Sequence, residues 1–344
     1  MILLVLSAMV GTSKLMAPYL DDLADRDSTE RFQHLASNLL LTTGSPSRWG
    51  QLRSAVPSSF GLARADALDP YELDADKVTR LNSENAYSLA YSDLWEAFGV
   101  NDASFQIEIK TLFELSVQLV SNSTQENQTV YEFEIRAEKS GMPISANLKS
   151  YVVLGDFVND AEASTSLNGF ATVTIGVPDS INGTALLLVF AKSAVNPQVV
   201  SFGIHAFSHN SPSPMPRGTF VSLSPLDCVL NASFTYAATE IIKAQVFTFS
   251  YNFSLTEKTW GIQTAEYLFP RLVDASVSVI VLTGSNGSAS FAEWVAYPQV
   301  PLQVGADFSE SIAGSRIAVY RQIVTINSAI YEVVTRWGGL SNSV

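Results

Sequence analysis

Hydrophobic positions divide the chain into an N-terminal part with helical spacing and a longer remainder that alternates with a period of two. Met1 to Gly11 is a clean apolar run, which Lys14 interrupts and Pro18 follows. Leu20, Leu23, Ala24, Phe32, Leu35, Ala36, Leu39 and Leu40 then recur three and four residues apart, with a gap from Asp27 to Arg31. That spacing draws one apolar stripe along a helix continuing from the hydrophobic segment. Pro18 kinks it, because its ring clashes with the preceding turn and it has no N–H to donate. Gly44 can take a left-handed C-terminal conformation and Pro46 cannot continue, so the helix is expected to stop over Thr42 to Pro46. Further on, Asp74 is placed to cap a short helix that carries Val78 and Leu81 on one face. A second helix is expected from about Ser88 to Phe98, closed by Gly99.

From Ser104 the period changes. Phe105, Ile107 and Ile109 alternate with Gln106, Glu108 and Lys110, and Leu115, Val117 and Leu119 follow. Tyr131, Phe133 and Ile135 alternate with Glu132, Glu134 and Arg136. Such alternation reads as antiparallel sheet with one covered face. Ser140 to Pro143 is a turn, Leu148 to Leu154 a strand, and Asn168-Gly169 a hairpin signal before Ala171 to Val177. Ala185 to Ala191 is a strand with hardly a polar position. Ser211 to Gly218 holds three prolines in eight residues and is the best domain boundary in the chain. Strands follow at Val246–Phe253, Ser276–Leu282 and Phe291–Tyr297, with a turn at Gly284 to Gly287. A long strand is expected from Ile317 to Trp337, with Tyr331, Val333 and Thr335 on one side.

The expected fold is therefore mainly β with a long N-terminal α-helix, two β-sandwich domains standing on a helical stalk. Its boundaries are residues 1–42 for the helix, 43–102 for a loop and short helices, 103–210 for the first sandwich, 211–218 for the linker and 219–344 for the second. A chain of 344 residues has length for two or three domains.

Composition bears on the compartment. Charged residues are 15% of the chain, against roughly a quarter in ordinary globular proteins. The net charge of -13 and the lack of a basic stripe argue against nucleic acid. Cys228 stands alone, so no intrachain disulfide forms, and it reads as a small buried apolar residue. N-glycosylation sequons begin at Asn122, Asn127, Asn182, Asn231, Asn252 and Asn286, none in the first 120 residues. Most sit beside turn residues or in polar segments, which suggests that the β-rich part lies outside the cell.

The apolar run has three readings: a membrane anchor or filament-core helix, a cleaved signal peptide, or a buried core helix. A bilayer span needs about 20 residues, and Lys14 falls inside this run. No Lys or Arg precedes it, so the expectation is a true start further upstream or a processed form. The stripe running on past Pro18 favours the first reading. On it, Leu20, Leu23, Phe32, Leu35 and Leu39 form a helix-packing interface.

The helix ends in Leu39 to Gly50, LLLTTGSPSRWG. Thr42, Gly44, Pro46 and Trp49 spell Thr-x-Gly-x-Pro-x-x-Trp, and a hydrophobic helix with this ending resembles archaeal type IV pilin-like, membrane-anchored secreted proteins. Phe60 to Ala63, Glu72 to Asn82, Leu94 to Val100 and the closing Val319 to Gly339 are similar to segments of such proteins. The resemblance covers the first hundred residues and the last twenty. The basic processing site expected ahead of the apolar run is absent. In the middle, Gly141, Pro143, Ala146, Asn168 and Gly169 make Val130 to Lys192 resemble the Ig-like or carboxypeptidase-regulatory-like modules of prokaryotic surface proteins.

No reaction centre stands out. His205 and His209 are spaced i, i+4 but lie in a strand-to-linker stretch, without a third His or Cys nearby. Asp66, Asp69, Asp74 and Asp76 lack the alternating spacing that wraps a calcium ion. No Gly-x-Ser-x-Gly, His-Glu-x-x-His, P-loop or dinucleotide fingerprint occurs. No catalytic, cofactor or metal residue is therefore assigned. The expected function is a non-enzymatic, pilin-like cell-surface structural protein. Its N-terminal helix would hold it in the membrane or pair it with copies of itself or other pilin-like subunits. It would be localised as an anchored ectodomain or surface filament. The alternatives are an extracellular adhesin or receptor for glycans or proteins, and a secreted enzyme.

Overall fold

A computed structural model of the chain describes residues 29–100, 102–211, 214–271, 274, 276–308 and 317–339. Strands dominate, as expected. The long N-terminal helix does not hold, nor does the helical stalk: the sheets pair into two sandwiches, but these stack on each other and on a fifth sheet. The described helices are all short: α1 over residues 29–41, α2 (Ala75–Thr79) and α3 (Tyr91–Phe98). Among the described residues no helix is long and apolar enough to cross a membrane. The expected membrane partner, and the localisation that rested on that anchor, are corrected accordingly.

The physical reason lies on α1. Phe32, Ala36, Leu39 and Leu40 form one buried face of the helix. That face lies in the molecule's largest core, where Phe32 stacks on Trp337 with centroids 6.1 Å apart. Leu35 packs partly against the same core. Arg31 donates to both carboxylate oxygens of Asp102 at 2.6 and 2.7 Å. From Phe32 to Leu40 the stripe is thus covered by the chain's own core. Leu20 and Leu23 lie outside the described residues.

The sheet under α1 joins both ends of the chain. In order it contains β1 (Glu72–Leu73), β20 (Ile317–Ile326), β21 (Ala329–Gly339), β2 (Ala103–Thr111) and β19 (Leu302–Gly305). The expected single strand over 317–337 is a hairpin. Asn327 and Ser328 both take positive φ, 50° and 66°, and turn the chain back. Asn is among the residues that tolerate this region best. Tyr331, Val333 and Thr335 do share one buried side.

Four further sheets stack face to face. The first holds β3 (Glu114–Gln125), β4 (Gln128–Lys139), β5 (Met142–Pro143) and β8 (Phe170–Pro178). The second runs β10 (Val200–His209), β9 (Gly183–Ser193), β6 (Ala146–Leu154), β7 (Phe157–Ser164). The third runs β14 (Asn252–Ser254), β13 (Thr239–Phe247), β17 (Ser278–Asn286), β18 (Ala289–Tyr297). The fourth runs β11 (Val221–Leu226), β12 (Val229–Phe234), β16 (Thr264–Leu268), β15 (Thr256–Trp260).

Alternate residues decide the stacking. In β9, Leu187 and Val189 meet Phe133, Ile135 and Val173 of the first sheet. Leu186, Leu188 and Phe190 instead belong to a core shared with Val279 and Val281 of the third. Ile280 and Leu282, on the other face of β17, meet Leu230 and Ala232 of the fourth. The second and third sheets are therefore covered on both faces, which is why β9 and β17 read as continuous apolar runs. Each fully buried Leu, Ile or Val here contributes about 1.5–3 kcal/mol. The middle contact also carries a Tyr151–Phe247 ring pair at 5.2 Å and a Lys192–Asp274 ion pair at 2.8 Å.

Candidate functional site

The most developed polar site is a seam where α2 meets the fourth sheet. Asp74 caps α2, accepting from the Asp76 and Lys77 amides at 2.9 and 3.1 Å. That cap points Asp76 into the seam, where it is only 3% exposed. Asp76 Oδ1 accepts from the Tyr297 hydroxyl and from the Asp227 amide, both at 2.8 Å. Burial pushes its carboxyl up to about 6, and the two donors oppose that shift. The same burial, with Asp76 alongside, holds the Tyr297 phenol well above its ordinary value. Asp227 and Cys228 form the β11–β12 turn, both at positive φ. Arg271 donates to Asp227 at 3.0 Å, and burial raises the Cys228 thiol while Arg271 opposes it.

A cleft of about 270 Å³ opens beside this seam, with Arg48, Arg64, Arg271, Asp66 and Asp76 among its walls. Two of its arginines are engaged: Arg64 with Asp66 and Glu72, Arg271 with Asp227. Asp76 Oδ1 takes both of its donors from its own fold. The arrangement holds a buried carboxylate in place. Nothing in the sequence pointed to it, since Asp76 and Tyr297 lie 221 positions apart.

The Thr-x-Gly-x-Pro-x-x-Trp segment forms a clasp between α1 and α2. The Thr42 hydroxyl bonds back to Asn38 O at 2.7 Å and ends α1. Gly44 takes φ 68°, and a Cβ there would stand 2.5 Å from Ser59 O. Trp49 is fully buried and donates from Nε1 to Gly61 O at 3.1 Å. Lys77 and Arg80 of α2 lie over its ring at 5.9 and 5.6 Å. Lys77 is fully buried, donates to Thr43 O and Ala63 O at 2.9 and 2.6 Å, and burial lowers its pKa to about 8.

The remaining candidates disperse. Of the acidic set, Asp66, Asp74 and Asp76 line the cleft and Asp69 is exposed outside it; Asp66 pairs with Arg64 and Asp74 caps α2. No group of three or more His, Cys, Asp or Glu that could hold a metal occurs among the described residues. His205 packs edge-on to Phe133 at 5.9 Å, and burial lowers its pKa. His209 is buried, with Nδ1 2.8 Å from the Tyr131 hydroxyl and Nε2 3.0 Å from Pro178 O. Both histidines belong to the first sandwich's interior. Asn122, Asn127, Asn182 and Asn252 are exposed, and Asn231 and Asn286 are partly exposed.

No protein-family model matches the chain. No curated protein matches it either. Among solved structures it is similar to HBP35 of Porphyromonas gingivalis, at 13% identity over 61% of this chain and 68% of that one, with a TM-score of 0.21. A likeness that slight carries no argument about fold or function. What the fold defines is a class alone: a four-layer stack of antiparallel sheets based on a fifth sheet shared by both ends of the chain.

Proposed function

We propose that this chain is a non-enzymatic structural protein of the cell exterior, with a pilin-like N-terminal clasp and a rigid stack of sheets for display. The observation that supports this most is the middle of the stack. Leu186, Leu188 and Phe190 of β9 share one core with Val279 and Val281 of β17, so the two sandwiches lean on each other across an apolar face. A body built this way transmits load without a hinge between its halves. The Asp76 seam serves packing, because the partners of Asp76 are Tyr297 and the Asp227 amide. The test is labelling of intact cells with a membrane-impermeant amine reagent, read on the purified chain. Label at exposed lysines such as Lys258 supports display; label only after lysis rejects it.

A second reading, an adhesin, draws on one end of the fourth sheet. Tyr236, Trp260 and Ile262 are exposed there on adjoining turns. Trp260 leans on Phe234 at 5.3 Å and Tyr236 on Phe220 at 5.9 Å. Aromatic faces at loop tips suit sugar or protein recognition. A Tyr236→Ala, Trp260→Ala double variant that still folds and still binds every glycan and surface recognised by the parent chain rejects this reading.

A further inference from the structure

The sequons differ in what the fold leaves available to a glycosyl transferase. N-glycosylation needs the acceptor amide and, two residues on, a hydroxyl. A folded acceptor must therefore present both, on backbone that can leave its sheet. We infer that folding sorts the sequons: Asn122, Asn252 and Asn286 are the acceptor sites of the folded chain, and Asn127, Asn182 and Asn231 are closed by it. This rests on the reading that the chain is displayed outside the cell.

The open set shares three features. Asn286 is the last paired residue of β17, opposite Thr239 of β13 and Ala289 of β18, so only the strand's end has to fray to free it, and Ser288 is exposed in the turn that follows. Asn252 begins β14, which pairs only with β13, and Ser254 is exposed. Asn122 lies near the tip of β3, which pairs only with β4, and Thr124 is exposed. Among the described residues none of these three hydroxyls is engaged in a side-chain hydrogen bond.

The closed set fails for two reasons. The Thr129 hydroxyl that completes the Asn127 sequon is buried and bonded to Asp179 Oδ1 at 2.7 Å. The Thr184 hydroxyl of the Asn182 sequon is buried and donates to Ser290 O at 3.2 Å. Breaking either bond leaves a buried polar group unpaired, at about 1–3 kcal/mol. Asn231 has a free neighbour in Ser233, but unlike Asn286 it sits inside its strand, paired with Ser224 of β11 and Glu266 of β16 and with paired residues before and after it. Releasing it means breaking ladder hydrogen bonds on both edges of the strand.

The reaction joins the anomeric carbon of a lipid-phosphate-linked oligosaccharide to Asn Nδ2. The C–O bond to the lipid phosphate breaks, and one amide proton is lost as the phosphate leaves. Glycopeptide mass spectrometry on the chain purified from the cells that make it reads each site. The expected result is occupancy at Asn122, Asn252 and Asn286, with the other three bare. Asn286→Gln and Ser288→Ala should each remove one glycan mass from the intact chain, although only the first alters the asparagine. Equal occupancy at all six sequons overturns the inference, because sequence alone would then choose. A chain bare at the three open sites but labelled on intact cells overturns it too, while the display reading stands.

Discussion

Strands β9 and β17 carry almost no exposed position, whereas β3 and β15 carry almost no buried one. All four belong to the same stack. They differ in how many of their faces a neighbouring sheet covers. An alternating strand such as β4 reports one covered face, a continuous apolar run reports two, and a polar strand reports the margin. Substitutions should scale with that count. Leu188→Ala in β9 removes packing between the second and third sheets and should destabilise by about 2–5 kcal/mol. Thr259→Ala in β15 should shift stability by less than about 0.5 kcal/mol. Urea midpoints of the two variants measure the difference, and similar shifts would break the comparison.

Much of this was legible before the fold was known. The alternation from Phe105 onward marks real strands, and the Ala185 to Ala191 run marks one with no polar face. The helix stripe was legible too, but a stripe says only that a face is covered and not by what. Phe32 and Leu39 are covered by the chain's own β21 and its neighbours in the core. Pairing between β2 and β21 joins Phe105 to Trp337, a distance along the chain that no local pattern spans. The Asp76 seam was hidden for the same reason. Asp74 could be read as a cap, but the cap's effect on Asp76 depends on Tyr297 and Asp227 arriving from elsewhere.

The seam gives the next largest effect. Folding raises the Asp76 carboxyl to about 6, from its ordinary value of 3.8. The native state therefore holds its proton over a range where the unfolded state has lost it. Stability is highest below that window, falls as pH rises from about 4 to 6, and levels off above it, by on the order of 3 kcal/mol. Asp76→Asn should flatten this slope, measured by urea unfolding at a series of pH values. A slope that survives the substitution would place its origin in another group.

The clasp comes third. Lys77→Met leaves the Thr43 and Ala63 carbonyls without their buried donor and should destabilise by about 1–3 kcal/mol. Limited proteolysis after α1 should accelerate with it. Smallest of all is the exposed Arg53–Glu266 pair at 2.9 Å. Arg53→Ala should alter stability by at most about 1 kcal/mol, an effect that fades at high salt.

The central claim is that the two sandwiches form one body through the apolar contact of the second sheet with the third. Differential scanning calorimetry of the intact chain tests it most directly. The account predicts a single transition whose calorimetric and van't Hoff enthalpies agree, lowered as a whole by Leu188→Ala. Two resolved transitions, with only one of them moved by Leu188→Ala, would contradict it.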